Sequence, residues 1–230
     1  MVRIWYLAGV MLLCPMAAFP QLLDSNYIGL LHLQFQRADF SSFNRQVEEL
    51  GYPTLEANIT EIGAQAQFLD GRWLTGLGWY VGFGHAEKGL KGAPSTEYRH
   101  YGLRLETSWS VLKHASWFVG PTVAINPQWS KLVLNTQSEA QGLQSALTAD
   151  YQKFTRFGQP VDLGLNIQYF FALGEHSSAT VSFLGGYRLD EEGSWRVDGA
   201  TPWVDSGIRL SGWYAAIRFG ISPSRLDKRF

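Results

Sequence analysis

Histidine is the side chain that most readily acts as a general base at neutral pH, and this chain has few of them. The five are scattered along the sequence: His32, His85, His100, His114 and His176. Nucleophilic catalysis needs a base beside a hydroxyl or thiol, and no G-x-S-x-G nucleophile motif occurs. His114 and His176 lie in short predicted turns and His85 lies near a loop, so we expect solvated imidazoles there. The sequence predicts no catalytic site and hence a non-enzymatic protein.

Composition removes several other classes of site. The single cysteine, Cys14, excludes a disulfide framework and a cysteine-based zinc site, and we expect neither a metal nor a cofactor. Lys and Arg number 19 against 20 Asp and Glu, a net charge of −1 that gives no basic surface for nucleic acid. Charged residues are only 17% of the chain, whereas aromatic residues are 14% and glycines number 24. This balance indicates one β domain rich in glycine and aromatic residues.

The polar residues that could form a site share one position in a repeating pattern. Each is flanked on both sides by residues of the opposite face, with a period of two, which is typical of a β-strand that has one polar and one apolar face. The twelve are His32, Gln34, Glu61, Gln65, His100, Arg104, Glu106, Asp162, Asn166, Gln168, Arg188 and Arg218.

Eight segments carry this alternation and are predicted to be strands. They are Leu30–Arg37, Asn58–Leu69, Arg72–Ala86, His100–Val111, Ser116–Asn126, Val161–Phe171, Ala179–Arg188 and Gly212–Ile221. The segment Arg72–Ala86 shows the two faces well, since glycines alternate with bulky residues such as Trp79 and Phe83. An eight-stranded barrel leaves an interior just wide enough for side chains to fill. We therefore place the glycine-rich, charged face inside and the bulky apolar face outside, against lipid.

Connection lengths support a membrane barrel. Three predicted connections are short, at Asp70-Gly71, Leu112–Ala115 and Ala172–Ser178, and Asp-Gly is a strong two-residue hairpin signal. The four others are long: Ala38–Ala57, Glu87–Glu97, Pro127–Pro160 and Leu189–Ser211. Short and long connections alternate, as the periplasmic turns and external loops of outer-membrane barrels do. We predict an all-β fold, an eight-stranded antiparallel up-and-down transmembrane β-barrel, with both termini in the periplasm and loops near Arg45, Lys91, Ser145 and Asp198 outside the cell.

Both ends of the chain differ from this pattern. Residues 1–20 run from Arg3 through an apolar stretch to Ala17 and Ala18, the order of a secretory signal peptide. A membrane anchor is the alternative, which Pro15 makes short for a spanning helix. We assign residues 21–222 to the barrel and residues 223–230 to a short periplasmic tail, Ser224–Phe230 being polar up to its last residue.

The pattern from Tyr27 to Ile221 resembles the small eight-stranded outer-membrane barrel proteins of Gram-negative bacteria, and the loop composition resembles those of Bacteroidetes-type organisms. The resemblance rests on pattern rather than on a signature motif. It implies localisation in the outer membrane, with outer-membrane lipid and lipopolysaccharide as partners. Such barrels usually end the last strand on an aromatic residue, whereas here Phe230 is separated from that strand by Pro223 and polar residues.

The interior charges of such a barrel must be paired, because an isolated buried charge is very costly. Closure of the barrel places Arg218 beside His32 and Gln34, and Arg104 and Glu106 share one strand. We predict a connected polar network that closes the lumen. The alternative is a pore selective for ions and lined by the same charges.

Function is then expected in the external loops. Four apolar residues in Asp39–Pro53 follow helical spacing, with Ser41 or Ser42 as a cap, and predict either a short helix over the barrel mouth or an interaction helix. The interaction candidates are Phe40, Phe43, Val47, Leu50, Trp129 and Leu132. The first part of the Pro127–Pro160 connection could extend the preceding strand, and Ser138–Thr148 could be helical.

Two function classes remain open from the sequence. In the first, the protein is a structural or interaction component that contacts a protein or a surface polymer through its loops. Such a component could be an accessory of a larger transport or secretion assembly. In the second, it is a lipid-modifying enzyme of the outer leaflet. A small pore, and a soluble binder with its faces inverted, are weaker alternatives.

Overall fold

The protein is an antiparallel β-barrel with one short helix. The computed structural model describes residues 27–86, 94–112, 116–135, 151–175, 177–191, 195–197, 203–204 and 208–223. The strands are β1 (Tyr27–Arg37), β2 (Leu55–Asp70), β3 (Trp73–Ala86), β4 (Ser95–Trp109), β5 (Trp117–Ile125), β6 (Gln128–Asn135), β7 (Tyr151–Gly158), β8 (Val161–Ala172), β9 (Ser178–Leu189), β10 (Trp195–Val197), β11 (Trp203–Val204) and β12 (Gly212–Ser222). The helix α1 spans Ser41–Glu49. The predicted signal peptide, the tail after Pro223 and the segment Ser138–Thr148 lie outside the described residues.

These segments join into eight barrel strands. β5 and β6 both pair with β4, and β8 and β7 continue the same wall beside them. A proline interrupts each of the two long strands, because proline has no N–H to donate to the sheet. Pairing bridges both interruptions, since Leu103 N donates to Pro127 O and Asn126 N donates to Pro160 O, each at 2.9 Å. β1 pairs with β12 from Gly29↔Ile221 to Gln36↔Tyr214, which closes the barrel.

The predicted fold class, an eight-stranded antiparallel barrel, is confirmed. One hairpin differs in register from the prediction: the two-residue turn is Gly71–Arg72 rather than Asp70-Gly71, because Asp70 pairs with Trp73. Gly71 has φ +54°, the left-handed region that favours glycine. We call this end of the barrel the turn end, and the end that carries α1 the loop end.

Several strands extend further towards the loop end than the sequence predicts. β2 begins at Leu55 instead of Asn58, and β4 begins at Ser95 instead of His100. The predicted connection Pro127–Pro160 contains β6 and β7, so the possible extension of the preceding strand is confirmed. Here the outward residues are polar or charged like some of the inward ones, which removes the contrast between faces that marks a strand in a sequence.

At mid-height the outside of the barrel is apolar and the inside is polar, as the sequence predicts. Leu105 exposes 49% of its surface and Leu77 exposes 56%, whereas the neighbouring inward residue Arg104 exposes 1%. A water-soluble barrel has the opposite arrangement. An exterior of this kind satisfies its apolar side chains only in contact with hydrocarbon or with another apolar surface.

Aromatic residues border the apolar exterior at both ends. Towards the loop end, Tyr101, Trp129 and Phe157 lie side by side on β4, β6 and β7. Towards the turn end, exposed tryptophans lie on β3, β4 and β5: Trp73, Trp109 and Trp117. Along β4, the eight residue steps from Tyr101 to Trp109 correspond to a height of about 20 Å for a strand tilted by roughly 40°. That is close to the apolar band of outer-membrane barrels, which is about 25 Å tall.

The interior has three layers. An apolar cluster fills the turn end and consists of Ile28, Leu30, Leu69, Leu74, Phe118 and Phe170. Polar and charged side chains occupy the middle. A second apolar cluster fills the loop end, and it consists of Ala38, Phe40, Phe43, Val47, Leu55, Ile59, Tyr98, Leu132, Leu134, Trp195, Ile208 and Leu210. The two apolar layers separate the polar middle from both openings.

Helix α1 lies over the loop end, which confirms the predicted short helix at the barrel mouth. Its residues Phe43 and Val47 are buried one helical turn apart and insert into the loop-end cluster. The predicted serine cap is wrong, because the N-cap residue is Phe40 and no side chain caps the helix. Asp39 instead accepts a hydrogen bond from Ser41 N at 2.9 Å, and the side-chain and backbone hydrogen bonds from Ser41 hold the pKa of Asp39 below its usual value. Within the described residues, no helix has the length and hydropathy needed to cross a membrane.

Candidate functional site

Six ionisable side chains form one series across the polar middle layer. Acidic and basic groups alternate along it in the order Glu61, Arg188, Asp162, Arg104, Glu106 and Arg218. None of the six exposes more than 2% of its side chain. Three cations and three carboxylates balance, so the series is neutral as a whole. We call it the lumen ion-pair chain.

Asp162 joins the two halves of the lumen ion-pair chain. Its Oδ1 accepts a hydrogen bond from Arg188 Nε at 2.7 Å, and its Oδ2 accepts one from Arg104 NH1 at 2.6 Å. Asn126, at the interruption between β5 and β6, also accepts from Arg104 NH1, at 3.2 Å. A carboxylate between two guanidinium groups is well compensated, because hydrogen bonds between ionised partners are the strong ones.

The turn-end half of the lumen ion-pair chain is centred on Glu106. Arg218 donates from NH1 to Oε1 at 2.8 Å and from NH2 to Oε2 at 2.7 Å, a bidentate pair. Arg104 Nε adds a third donor to Oε2 at 2.8 Å, and Gln67 Nε2 adds a fourth to Oε1 at 3.3 Å. Such two-pronged contact fixes both position and orientation of the carboxylate.

The loop-end half is centred on Glu61. Arg188 NH1 donates to its Oε1 at 2.5 Å, His100 Nε2 lies 3.0 Å from the same oxygen, and Gln34 Nε2 donates to Oε2 at 2.8 Å. Arg188 NH1 also donates to Gln36 Oε1 at 2.5 Å. Gln36 Nε2 in turn donates to the backbone carbonyl of Leu210 in the loop-end cluster. This hydrogen bond connects the polar layer to the apolar layer above it.

Glycines allow the histidines to lie against the barrel wall. A Cβ atom at Gly82 would stand 2.1 Å from His100 Cε1, and one at Gly63 would stand 2.6 Å from His32 Cε1. Contacts that short do not occur, so both rings rest in space that a side chain would fill. These inward glycines of the sequence therefore leave room for the two histidine rings.

The structure places all twelve sequence-predicted lumen residues inside the barrel, each with at most 5% of its surface exposed. Eight of them are joined through the lumen ion-pair chain or by hydrogen bonds to it. Asn166 lies apart from it and accepts a hydrogen bond from Ser182 Oγ at 2.7 Å. The side-chain polar atoms of Gln65 and Gln168 have no partner among the described residues. Arg218 is opposite His32 across the β1–β12 seam, as closure predicts.

Sequence reasoning missed several members of the polar layer. Gln36 and Gln67 are buried on the inward positions of predicted strands and could have been found from the period of two. Arg156 could not have been found in this way, because it belongs to β7, which was not predicted. It forms a bidentate pair with Asp190 at 2.8 and 3.0 Å near the loop end.

The loop interaction candidates are corrected by the structure. Phe40, Phe43, Val47 and Leu132 are buried in the loop-end cluster, and Leu132 belongs to β6 rather than to a loop. These side chains pack on each other over the barrel mouth, so they offer no surface to a partner. Leu50 is 71% exposed and remains accessible. Trp129 is 45% exposed, but it also belongs to β6 and lies in the aromatic border of the barrel wall rather than in a loop.

No group of three or more His, Cys, Asp or Glu residues in the described ranges is arranged to hold a metal ion. The carboxylates of the lumen ion-pair chain are saturated by guanidinium, amide and imidazole donors, which makes them structural anions. The arrangement can close and stiffen a barrel.

No family model matches the chain, and no curated protein matches its sequence. Among solved structures, it is similar to Ail, the attachment invasion locus protein of Yersinia pestis, at 9% identity and a TM-score of 0.44, over 86% of this chain and 97% of that one. It is also similar to Neisserial surface protein A, at 12% identity and a TM-score of 0.42 over 87% and 97%. A third similarity is to the outer membrane protease OmpT of Escherichia coli, at 7% identity and a TM-score of 0.39 over 88% and 97%. Neither attachment nor proteolysis passes to this chain from these similarities, and the Bacteroidetes-type origin stays a prediction.

Proposed function

We propose that the protein is an outer-membrane β-barrel with a closed lumen, which acts as a structural or interaction component through the part that stands above the membrane. Support for the membrane location comes from the apolar exterior and its two aromatic borders. An outward row of leucine, isoleucine and phenylalanine side chains at about half exposure is stable in hydrocarbon and would aggregate in water. Outer-membrane lipid, including lipopolysaccharide, then surrounds the barrel wall.

The lumen ion-pair chain is the observation that carries the proposal of a closed barrel. It crosses the interior without a solvated gap between partners, and apolar clusters lie above and below it. An ion that crossed would have to displace a guanidinium from a carboxylate inside a low-dielectric space, which is costly. Eight strands leave no room for a water column beside these side chains.

The part above the membrane supports an interaction role. Beyond the loop-end aromatic row, β4, β6 and β7 continue as a wall, and β10 and β11 widen it. Helix α1 covers the mouth and leaves Leu50 exposed. A partner protein, a surface polymer or a larger transport or secretion assembly would meet this wall and the helix over the mouth. Lipid-modifying activity is the competing class, and comparison of lipid A from deletion and parent strains separates the two.

The closed lumen predicts an absence of ion conduction. Purified protein in planar bilayers should give no stable channel steps, since the lumen ion-pair chain and both apolar clusters would have to move to open a path. A porin reconstituted in the same bilayers serves as the positive control. Stable, ion-selective steps from the purified protein would require the same charges to be reinterpreted as the lining of a pore.

The proposed orientation predicts which end of the barrel an external reagent reaches. A Leu50→Cys variant at the loop end should react with a membrane-impermeant maleimide on intact cells, because loop-end residues face the outside. A Glu175→Cys variant in the turn between β8 and β9 should react only after the cells are lysed. The parent protein, whose one cysteine is Cys14, gives the background. Labelling of Glu175→Cys but not of Leu50→Cys on intact cells would reverse the orientation.

A further inference from the structure

Two rows of outward side chains cross the barrel wall at its loop-end border. The first is the aromatic row Tyr101, Trp129 and Phe157, whose residues are register partners on β4, β6 and β7. The second lies two residues further towards the loop end and consists of Arg99, Lys131, Thr155 and Arg196, again register partners on β4, β6, β7 and β10. We call the second the basic row.

The aromatic row forms a continuous apolar surface. Tyr101 and Trp129 are stacked, with ring centroids 5.8 Å apart and planes 17° apart, and Phe157 lies 5.0 Å from Trp129. Each of the three exposes about half of its surface, between 45% and 56%. Rings in this position suit the boundary between acyl chains and headgroups.

The basic row carries a surplus of positive charge just beyond that boundary. The three cations of the row, Arg99, Lys131 and Arg196, outnumber the one carboxylate, Glu97, on the outward positions that the structure describes on β4, β6, β7 and β10. Glu97 is 2.9 Å from Arg99, and both side chains are more than half exposed. A recess of about 150 Å³ opens in the same wall and is lined by Ser95, Glu97, Arg99, Lys131, Val133 and Asn135.

The pair β1 and β2 on the opposite wall has one cation at the matching boundary position. On the opposite wall the matching boundary position holds Arg37, two residues beyond Phe35 on β1, and its register partner on β2 is the neutral Asn58. Strands lie about 5 Å apart, so Arg99 and Arg196 are separated by roughly 14 Å across three strand spacings. A row of that width can engage more than one phosphate at once.

We propose that the basic row and the aromatic row together form a binding site for a polyphosphorylated lipid of the outer leaflet. The phosphates bind the guanidinium and ammonium groups, and the acyl chains pack along Tyr101, Trp129 and Phe157. The height of the basic row favours a lipid over a soluble anion as the ligand, because the row lies directly above the aromatic border of the apolar band. The inference rests on the proposed location of the barrel in the outer membrane.

Binding of diphosphorylated lipid A tests the site. The parent protein, in nanodiscs of phosphatidylcholine with a minor fraction of lipid A, should retain lipid A after transfer to detergent, as native mass spectrometry measures. The double variant Arg99→Gln/Lys131→Gln should bind about tenfold less, because charge-assisted hydrogen bonds to phosphate are lost. The matched control Arg37→Gln/Arg45→Gln removes the same charge from other exposed positions and should bind as the parent does.

Three results would overturn the site: equal retention by parent and double variant, an equal loss in the control variant, or displacement of lipid A by inorganic phosphate alone. Heat-modifiable gel migration reports whether each variant is folded, and the single variant Lys131→Gln provides the comparison if the double variant is not. Failure of the proposed location looks different. The parent protein would then not enter phosphatidylcholine nanodiscs at all, with or without lipid A.

Discussion

Replacing Glu106 by glutamine should lower the free energy of unfolding of the barrel by about 3–5 kcal/mol, the cost of leaving a buried charge without its partner. Glu106 accepts hydrogen bonds from Arg218 and Arg104, and its side chain is 1% exposed. A glutamine keeps the shape but loses the negative charge, and its NH2 group faces guanidinium donors. Urea unfolding of the protein in lipid vesicles measures the difference.

A matched control and a second variant separate this effect from a general loss of packing. Glu175→Gln makes the same chemical change at an exposed position of the turn between β8 and β9, and its free energy of unfolding should equal that of the parent. Glu106→Gln leaves three cations against two carboxylates, and Arg218 then has no ionic partner, whereas Arg104 keeps Asp162. Adding Arg218→Gln removes the excess cation, so the double variant should regain part of the lost stability. An unchanged stability for Glu106→Gln would mean that the lumen ion-pair chain is solvated.

The sequence could predict the barrel wherever the two faces of a strand meet different surroundings. In β8, Leu163 and Leu165 face outward and Asp162 faces inward, so the period of two is evident. In β7 the outward residues Lys153 and Thr155 are polar, and the inward Arg156 is charged as well. Above the membrane the contrast between faces disappears, and the sequence pattern disappears with it. That is why β7 was missed and why β4 begins five residues earlier than predicted.

Membership of the polar layer could be predicted from the same period, but its pairing could not. Glu61 and Arg188 are 127 residues apart in sequence and meet only because the barrel closes. Arg218 was expected beside His32, which the β1–β12 register gives, yet its hydrogen bonds reach across the lumen to Glu106. Which carboxylate an arginine pairs with depends on the shear of the barrel and on the length of the arginine side chain. Neither quantity can be taken from alternation alone.

The basic row shows the same limit for surface sites. Lys131 and Arg196 belong to strands that the sequence leaves inside predicted loops, and Arg99 lies just before the predicted start of its strand. Nothing in the chain order suggests that the three are neighbours. Strand register brings them into one line, and the aromatic row sets the height of that line relative to lipid. A boundary site of this kind becomes visible only once the register and the apolar band are both known.

Introducing arginine at the middle of the apolar band should destabilise the barrel by about 2–4 kcal/mol, the cost of that side chain at the bilayer midplane on a lipid-facing position. Leu105 is the suitable site. It lies midway between Tyr101 and Trp109 on β4, and its register partners are Leu77 on β3 and Ile125 on β5. All three are about half exposed, so the new guanidinium would face acyl chains on every side.

Two further variants make the Leu105→Arg result specific to lipid contact. Leu105→Ala removes the same leucine without adding charge and should cost much less. Leu50→Arg adds the same charge at a position of 71% exposure over the barrel mouth, where water solvates it, and should leave the free energy of unfolding unchanged. Urea unfolding in vesicles compares the three. If Leu105→Arg is as stable as Leu105→Ala, that face of β4 is in contact with water or with a polar partner, and the apolar exterior would need an explanation other than a bilayer.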